Sequence, residues 1–568
     1  MSIAVPEQPS AVPFPARLAL VSLLPILGLL PPETRGEALA GAALLVALLT
    51  LLLWPAVSRR SLAPSAVVIG LVLAAVSARA GAAPATAIEP VALVVLATAA
   101  GIAAATAASD RRFASLVPGI AAAVGGAAAA HGIYQKLWGL ERVATIVTAD
   151  PTIPDAPAML HKLEAGRAFA GFATPAALGG FLALTLPLAV AFAAGTRGAR
   201  RALWIAAAAV QLGGLAATAS VTAAGSLAAA SLLAFLLWRG SRVVLLAGLG
   251  TLLVLLAAVA MQRGAPLDPR DPQGPWRQRT ANWRAAWEVA RDNPWLGVGP
   301  GAYAEAILAH RRPGDNEARH AHNLPLEIAA EVGWPAAVLG SGVFFALFLG
   351  PLWQARDDSV GPGRRAAAIG LASFALHNLA DFTFAMPSIL WTAAILRGIV
   401  ARRSTMGGGL GLLPPHRGFV DATALAAVIV LAVTAALGGV AREFRREARA
   451  AAHLNEDGRA LALAARAVSL APWDIDAAVA FAAATLGRGE PSRIPEETQS
   501  PALEPAERAV RLAPTRASAR DLRARARLAV GDQAGALADW EQAARLDPGR
   551  PEYARARDGV RRALVGVR

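Results

Sequence analysis

The sequence predicts an all-α protein: a polytopic bundle of about thirteen transmembrane helices, followed by a soluble helical-repeat domain. Apolar runs of about twenty residues, the length that crosses a bilayer, recur between residues 18 and 440. From residue 441 the long apolar runs end, and an Ala-rich helical periodicity with many Arg and acidic residues replaces them. The 55% hydrophobic content over 568 residues is too high for an array of ordinary soluble domains.

The predicted spans follow from the apolar runs in chain order. They are residues 18–32, 38–57, 62–80, 88–108, 113–134, 175–195, 201–219, 221–238, 242–261, 325–350, 365–382, 385–401 and 420–440. The first run has no small-residue cleavage site, so we expect a retained helix and not a signal peptide. Runs such as GIAAAVGGAAAA contain the small residues that allow helices to pack closely in lipid.

Arginines in the short connections predict the orientation. When the spans alternate, the arginine-rich connections all fall on one side of the membrane, and that side is predicted to be cytoplasmic. These connections are SRRS, SDRRF, TRGARR, WRGSR, RDDSVGPGRR and RGIVARRS. Residues 1–17 are then cytoplasmic. The transmembrane domain covers 18–440, and its long segments 135–174 and 262–322 are extracytoplasmic, as is the tail 441–568. Because basic residues cluster in these loops, the net charge of +14 does not indicate nucleic-acid binding.

The tail repeats itself. The stretches AARAVSLAPWDIDAA, AERAVRLAPTRASAR and WEQAARLDPGRPEYA share an apolar helix, a Leu-x-Pro stop and a restart. Pro514 and Pro548 are separated by the tetratricopeptide period, and Pro472 precedes Pro514 by one such unit plus an insertion. This pattern predicts stacked helix pairs that serve for docking or packing. A plain helical bundle is the alternative.

Titratable residues cluster in HAHNLPLEIAAEVG, residues 320–333, at the outer end of a predicted span. Ionisable groups at a membrane edge are costly and therefore indicate function. His322 can accept a proton near neutral pH, and Asn323 could orient it or a substrate. Glu327 and Glu331 are four residues apart and share one helix face. A surface histidine or a helix cap is the alternative for His322.

Two arginines flank the long outer segments. Arg167 precedes a span at GFATP, and Arg279 lies in an amphipathic helix predicted to end at Asn293. Their guanidinium groups could clamp a diphosphate, because the planar fork matches phosphate oxygens; lipid binding is the alternative. His377 and Asp381 form an i, i+4 pair that suits either a polar cavity or helix packing.

Other chemistries are not indicated. GVGPG follows a helix, so we interpret it as a turn and not as a nucleotide-binding loop. No acidic cluster on the outer segments has metal-ligand spacing, and the chain has no cysteine. We therefore predict neither a metal nor a cofactor.

The outer segment and the following span resemble the O-antigen ligase and polymerase superfamily of bacterial envelope glycosyltransferases. The matching words are RTANW from Arg279, NPWLGVGPGAY, and His322-Asn323 followed by nine residues and Gly333. GRAFAGFATPAALGGFLALTLPLA, which contains Arg167, is similar to the family's other marker. The resemblance covers about residues 160–400. Ligases often carry Leu where Trp283 stands, and their SRG-like word appears here as SVTAAGS, without Arg.

The resemblance implies a function for the protein and roles for individual residues. Members transfer a glycan from an undecaprenyl-diphosphate carrier to an acceptor hydroxyl outside the cytoplasmic membrane, without a metal. His322 would be the catalytic base, and Arg167 and Arg279 would hold the diphosphate. Asn323, Glu331 and Asp381 complete the predicted substrate-binding set. The acceptor would be a lipid, glycan or protein, and the tail would recruit a protein partner.

Three further hypotheses stand beside this ligase. A repeat-unit polysaccharide polymerase of the same superfamily would use the same residues. A lipid-linked glycan transporter or flippase would need polar residues along several spans, which are mostly Ala, Leu, Val and Gly. A membrane-anchored scaffold would not need so many spans.

Overall fold

The structure, a computed structural model, describes residues 13–57, 84–108, 110–149, 163–238, 274–312, 314–356, 360–401, 417–487 and 496–566, with single residues 160, 250 and 253. The predicted spans 62–80 and 242–261 lie outside the described residues, apart from those single positions. Every regular element within the described ranges is helical, which confirms the all-α prediction.

The helices are numbered α1 to α20 in chain order. The bundle and its connections contain α1 (Phe14–Leu29), α2 (Gly36–Val57), α3 (Ile88–Ala107), α4 (Arg111–Tyr134), α5 (Leu140–Ala149), α6 (Pro175–Gly195), α7 (Gly198–Thr218), α8 (Val221–Leu237), α9 (Pro275–Asp292), α10 (Leu324–Val332), α11 (Trp334–Gln354), α12 (Pro362–His377), α13 (Pro387–Val400) and α14 (Arg417–His453). The tail contains α15 (Asp457–Leu470), α16 (Ile475–Leu486), α17 (Glu496–Leu512), α18 (Ala517–Ala529), α19 (Gln533–Leu546) and α20 (Pro551–Gly566).

Seven helices among the described residues are long and apolar enough to cross a membrane. They are Gly36–Leu53, Ala85–Ala107, Arg112–Ala149, Pro175–Gly195, Gly198–Thr218, Trp334–Gln354 and Ala422–His453. Phe14–Leu29, Val221–Leu237 and Pro387–Val400 are apolar but shorter. The helices pack around one large apolar core. The count of thirteen spans remains a prediction.

Small residues bring the helix backbones together in this core. A Cβ atom built on Gly36 would lie 2.0 Å from the carbonyl oxygen of Gly439, so α2 and α14 cross with their backbones in contact. Gly101 and Gly398 make the equivalent crossing of α3 and α13, where the added atom on Gly398 would lie 2.1 Å from the Gly101 carbonyl oxygen. These contacts agree with the predicted packing through glycine and alanine.

The span predicted at 325–350 is wrong in its boundaries. The structure divides this stretch at Gly333 into the short helix α10 and the long helix α11. Gly333 has φ 83° and ψ 165°, a conformation that only glycine adopts readily, so the α10 helix cannot continue through it. The polar cluster thus lies on a separate helix ahead of the span.

The outer segment predicted at 135–174 begins as a helix. After α4, a π-helical turn at Gln135–Gly139 continues directly into α5. Gln135 is buried, and its side-chain oxygen accepts hydrogen bonds from the backbone N–H groups of Phe169 and Ala170. This contact fastens the returning chain, which then begins α6 with Thr174 as its N-terminal cap.

The tail is a succession of helices that pack against their chain neighbours around several small cores. Helices α15, α17 and α19 each end shortly before Pro472, Pro514 or Pro548, as the repeats predict. α14 runs without interruption through residue 441, where the sequence suggested a domain boundary. The tetratricopeptide assignment and that boundary remain predictions.

The tail also contacts the segment that precedes the polar cluster. Arg516 lies 3.4 Å from Glu305, and Arg550 lies 3.3 Å from Glu317. Arg311 approaches Asp547 at 3.9 Å. The tail therefore lies against the same end of the bundle as residues 303–322.

Candidate functional site

Helix α10 and the loop after α12 are held together by backbone and amide hydrogen bonds. The side-chain oxygen of Asn323 caps α10 by accepting from the N–H of Leu326 at 3.0 Å, and its amide donates to the carbonyl of Leu379 at 3.0 Å. The N–H of Leu324 donates to the Asn378 carbonyl at 2.9 Å. This junction positions His322, which has φ 54° immediately before the cap.

His322 faces the carboxylate of Asp381. Its Nδ1 lies 3.7 Å from Oδ1 of Asp381 and is buried without a hydrogen-bond partner among the described residues. The imidazole is 25% exposed although Nδ1 is buried, so its exposed part lies on other ring atoms. A carboxylate on this side favours the tautomer with the proton on Nδ1, which leaves Nε2 able to accept a proton.

Arg279 of α9 holds Asp381 in place. Its Nη2 lies 3.2 Å from Oδ2 of Asp381, and its Nε donates to the Ala380 carbonyl at 2.9 Å. Asp381 is completely buried. Burial would raise the pKa of Asp381, but His322, His377 and Arg279 outweigh this effect and hold the pKa well below its usual range. Asp381 is therefore a fixed negative charge behind His322.

Trp283, one turn after Arg279 on α9, contacts the segment that precedes α10. Its indole N–H donates to the His322 carbonyl at 3.2 Å. Trp283 lies four residues after Arg279, so both side chains project from one face of α9. α9 therefore contacts the backbone of the histidine segment through Trp283 and the Asp381 loop through Arg279.

The glycine-rich stretch is a turn, as expected from the sequence, and it covers the C-terminal end of α10. The N–H groups of Val298 and Gly299 donate to the carbonyls of Ala330 and Glu331, both at 2.9 Å. Gly297 approaches so closely that an added Cβ would lie 2.2 Å from the Glu331 carbonyl carbon. The turn thus satisfies helix-end carbonyls that would otherwise lack donors.

Glu331 is enclosed by this turn. Its Oε1 accepts from the N–H of Tyr303 at 3.4 Å. Burial, together with the negative charge of Glu327, raises the pKa of Glu331 to about 8. Glu331 is therefore predominantly protonated at neutral pH.

His320 and Glu327 form a second histidine–carboxylate pair. Nδ1 of His320 lies 2.7 Å from Oε1 of Glu327, whose Oε2 accepts from the Ala321 N–H at 2.8 Å. The imidazole of His320 stacks on Phe382 with 4.6 Å between ring centroids. His322 meets the same Phe382 ring edge to face, also at 4.6 Å. One phenylalanine thus contacts both histidines.

Arg167 lies against the C-terminal end of α7. Its Nε donates to the Thr218 carbonyl at 2.8 Å, and its Nη2 approaches the Ala219 carbonyl at 3.4 Å. A guanidinium at this position compensates the partial negative charge of the helix end. Arg167 is thereby fixed at the junction of α7 and α8.

A chain of polar side chains leads from this junction to Asp381. Ser220 donates its N–H to the Thr218 hydroxyl at 3.2 Å, and its own hydroxyl lies 3.2 Å from that of Thr222. The Thr222 hydroxyl lies 3.1 Å from Nε2 of His377, which is 3.9 Å from Oδ2 of Asp381. The stretch SVTAAGS, residues 220–226, therefore supplies the hydroxyl groups of Ser220 and Thr222 to this chain of contacts.

The structure brings His322, Arg279 and Asp381 into one cluster, with Asn323 at its edge. Glu331 lies at the far end of α10, and Arg167 is connected through the hydroxyl chain. Sequence reasoning left His320, Glu327, Thr222 and Phe382 out of the predicted site. His320 lies in the stretch HAHN and Phe382 in the stretch DFTF, but nothing in the sequence indicated that these two stretches are in contact.

The middle of the chain is similar to a known protein family. A family model described as O-Antigen ligase matches residues 186–341. The matched segment extends from α6 into α11 and contains Arg279, His322, Asn323 and Glu331, while Arg167 and Asp381 lie outside it. No curated protein matches the chain.

Proposed function

We propose that this chain, whose residues 186–341 match the O-antigen ligase family model, transfers a glycan from an undecaprenyl-diphosphate carrier to an acceptor hydroxyl. The acceptor is a lipid, a glycan or a protein. We assign the reaction to the extracytoplasmic face of the bacterial inner membrane, because the arginine distribution in the short connections predicts that the cluster of His322, Asp381 and Arg279 faces that side. The observation that carries the proposal is the placement of His322 against a buried carboxylate that Arg279 holds.

The proposed reaction is a single displacement. Nε2 of His322 takes the proton of the acceptor hydroxyl, and the hydroxyl oxygen forms a bond to the anomeric carbon. The bond from that carbon to the carrier diphosphate breaks, and the diphosphate leaves with the electron pair. Attack opposite to the leaving group inverts the anomeric centre, and no step needs a metal ion.

Asp381 and Arg279 support this chemistry in different ways. Asp381 faces the imidazole and stabilises the imidazolium that forms when His322 accepts the proton. The described contacts of Arg279 use Nε and Nη2, so Nη1 remains for a phosphate oxygen. Arg167 is the second proposed diphosphate contact. Fixed cations of this kind stabilise the negative charge that grows on the leaving group.

Asn323 and the tail complete the proposal. Asn323 positions His322 through the α10 cap, whereas Glu331 is enclosed at the far end of α10 and does not line the cluster of His322, Asp381 and Arg279. The tail binds the acceptor or a partner protein next to residues 303–317. Deleting residues 457–568 should then reduce acceptor use while donor binding is retained; unchanged acceptor use would contradict this role.

The test is glycan transfer by the full-length protein in liposomes, with a lipid-diphosphate-linked oligosaccharide as donor. His322→Gln should abolish transfer and retain donor binding, whereas the control His310→Gln, in the same outer segment, should leave transfer intact. Undiminished transfer by His322→Gln would remove the base from the mechanism. Long repeated products would identify a polymerase, and translocation of the donor without transfer would identify a flippase.

A further inference from the structure

His320 and His322 face different carboxylates, and both contact the ring of Phe382. His322 faces Asp381 from the loop after α12, whereas His320 faces Glu327 from α10. Both imidazoles contact the Phe382 side chain, one against its face and one edge to face. The two histidines therefore lie next to the same phenylalanine but face different carboxylates.

The His320 pair has the geometry of a charged hydrogen bond. The distance of 2.7 Å between His320 Nδ1 and Glu327 Oε1 is an ångström shorter than the separation of His322 and Asp381. Glu327 is almost completely buried and is held by the Ala321 N–H, so its carboxylate cannot turn away. With Nδ1 directed at Glu327, Nε2 is the nitrogen of His320 that remains for another partner, and the side chain is 31% exposed.

The charges around His320 favour its protonated form. Burial lowers the pKa of His320, but the charge and hydrogen bond of Glu327 outweigh this effect and raise the pKa above its ordinary value. A general base must be neutral to accept a proton, so His320 does not duplicate the role of His322. A protonated imidazole has N–H donors at both nitrogens and suits an anionic oxygen.

We propose that His320 binds the diphosphate of the lipid-linked donor, with its Nε2–H directed at a phosphate oxygen, while His322 acts on the acceptor beside it. This role rests on the proposed function, because that reaction brings a diphosphate to this end of the bundle. Glu327 keeps His320 charged and oriented, and is a positioning residue. The acceptor hydroxyl is neutral and gains nothing comparable from a cationic donor.

The experiment measures lipid binding separately from catalysis. Full-length protein in nanodiscs is titrated with a polyprenyl diphosphate and, in a second arm, with the corresponding monophosphate. His320→Gln should weaken diphosphate binding by about 10-fold or more, the usual effect of losing a charged hydrogen bond. His320→Arg should restore part of the affinity, and His322→Gln should leave it unchanged. A comparable loss in the monophosphate arm would show that His320 recognises a single phosphate.

Transfer kinetics provide the second readout. His320→Gln should raise KM for the donor and leave KM for the acceptor unchanged, whereas His322→Gln lowers kcat. Equal diphosphate affinities of wild type and a folded His320→Gln protein, or a change confined to the acceptor KM, would overturn the inference. If no transfer occurs with any acceptor but the binding difference persists, the proposed function fails and the diphosphate site remains.

Discussion

Arg279 and Asp381 form an ion pair across 102 residues of sequence, with 3.2 Å between Nη2 and Oδ2. The pair joins α9 to the loop after α12. Asp381 is completely buried and Arg279 only slightly exposed, so the two charges compensate each other away from bulk water. The structural and chemical contributions of the pair can therefore be separated by substitution.

Arg279→Ala should destabilise the protein more than Asp381→Asn does. Removing the arginine leaves a buried carboxylate without its guanidinium partner, which typically costs about 3–5 kcal/mol. Asparagine removes the buried charge itself and can still accept from Arg279. The measurement is the melting temperature in detergent, and the double variant Arg279→Ala/Asp381→Asn should melt above Arg279→Ala alone. Purely additive losses would show that the two residues do not interact.

Asp381→Asn should nevertheless impair transfer. If Asp381 orients His322 and stabilises its protonated form, its neutral replacement should lower kcat by between about 10²- and 10⁴-fold, the usual contribution of general-base catalysis. The measurement is steady-state transfer in liposomes, with donor binding measured in parallel. The control is Asp315→Asn in the same outer segment, where the carboxylate pairs with Arg284 and not with a histidine. A loss of donor affinity with unchanged kcat would assign Asp381 to substrate binding.

The sequence identified Arg279, His322 and Asp381 individually but not as a cluster. Residue type and position near a membrane edge indicated each of them, because such groups are costly in that environment. Their meeting depends on how α9, α10 and the loop after α12 pack, and one sequence without contacts does not determine this packing. His320 was passed over for the same reason, since its importance depends on Glu327 and Phe382.

The fold, too, could be predicted from the sequence in some parts and not in others. Long apolar runs such as 175–195 predicted helix α6 with accurate bounds, because length and composition determine a bilayer-spanning helix. The span predicted at 325–350 had wrong boundaries, because hydropathy does not distinguish a glycine with a positive φ that ends a helix. The close approach of the 294–299 turn makes Gly333 a break, and that contact is tertiary.

Gly333→Ala should destabilise the site end of the bundle. A side chain at φ 83° costs about 1–3 kcal/mol from the backbone conformation alone. The added Cβ would also lie 2.3 Å from the Trp295 carbonyl oxygen. Gly342→Ala, with open space around the added atom in α11, is the matched control and should melt like wild type. Equal melting temperatures for both variants would show that the break at Gly333 is not required.

Glu331 should make stability depend on pH. Because its folded pKa is raised to about 8 from an ordinary value of 4.5, the folded state retains a proton that the unfolded chain releases. Its contribution is fully present below pH 4.5 and is lost as the pH rises to about 8. Glu331→Gln resembles the protonated form, so the melting temperature of this variant should fall less over that interval. Parallel pH profiles for wild type and variant would contradict the raised pKa.

The absence of cysteine permits a direct test of orientation. Arg312→Cys in the outer segment and Arg525→Cys in the tail should react with a membrane-impermeant maleimide in intact spheroplasts. Arg356→Cys, beyond the opposite end of α11, should react only after permeabilisation. Both residues expected outside are well exposed, so accessibility is not limited by folding. The reverse labelling pattern would place the site in the cytoplasm and exclude an extracytoplasmic transfer reaction.

Contact between the tail and the outer segment can be tested in the same cysteine-free background. Glu317 and Arg550 approach at 3.3 Å, and both side chains are about half exposed, so their ion pair contributes only about 0–1 kcal/mol. Replacing both should therefore leave the docked arrangement intact, and Glu317→Cys/Arg550→Cys should form an intramolecular crosslink with a short bismaleimide. Arg356→Cys/Arg550→Cys, with one residue at the opposite end of α11, should not. Failure of the first pair would show that the tail does not rest on this segment, and its proposed part in acceptor binding would lose its structural basis.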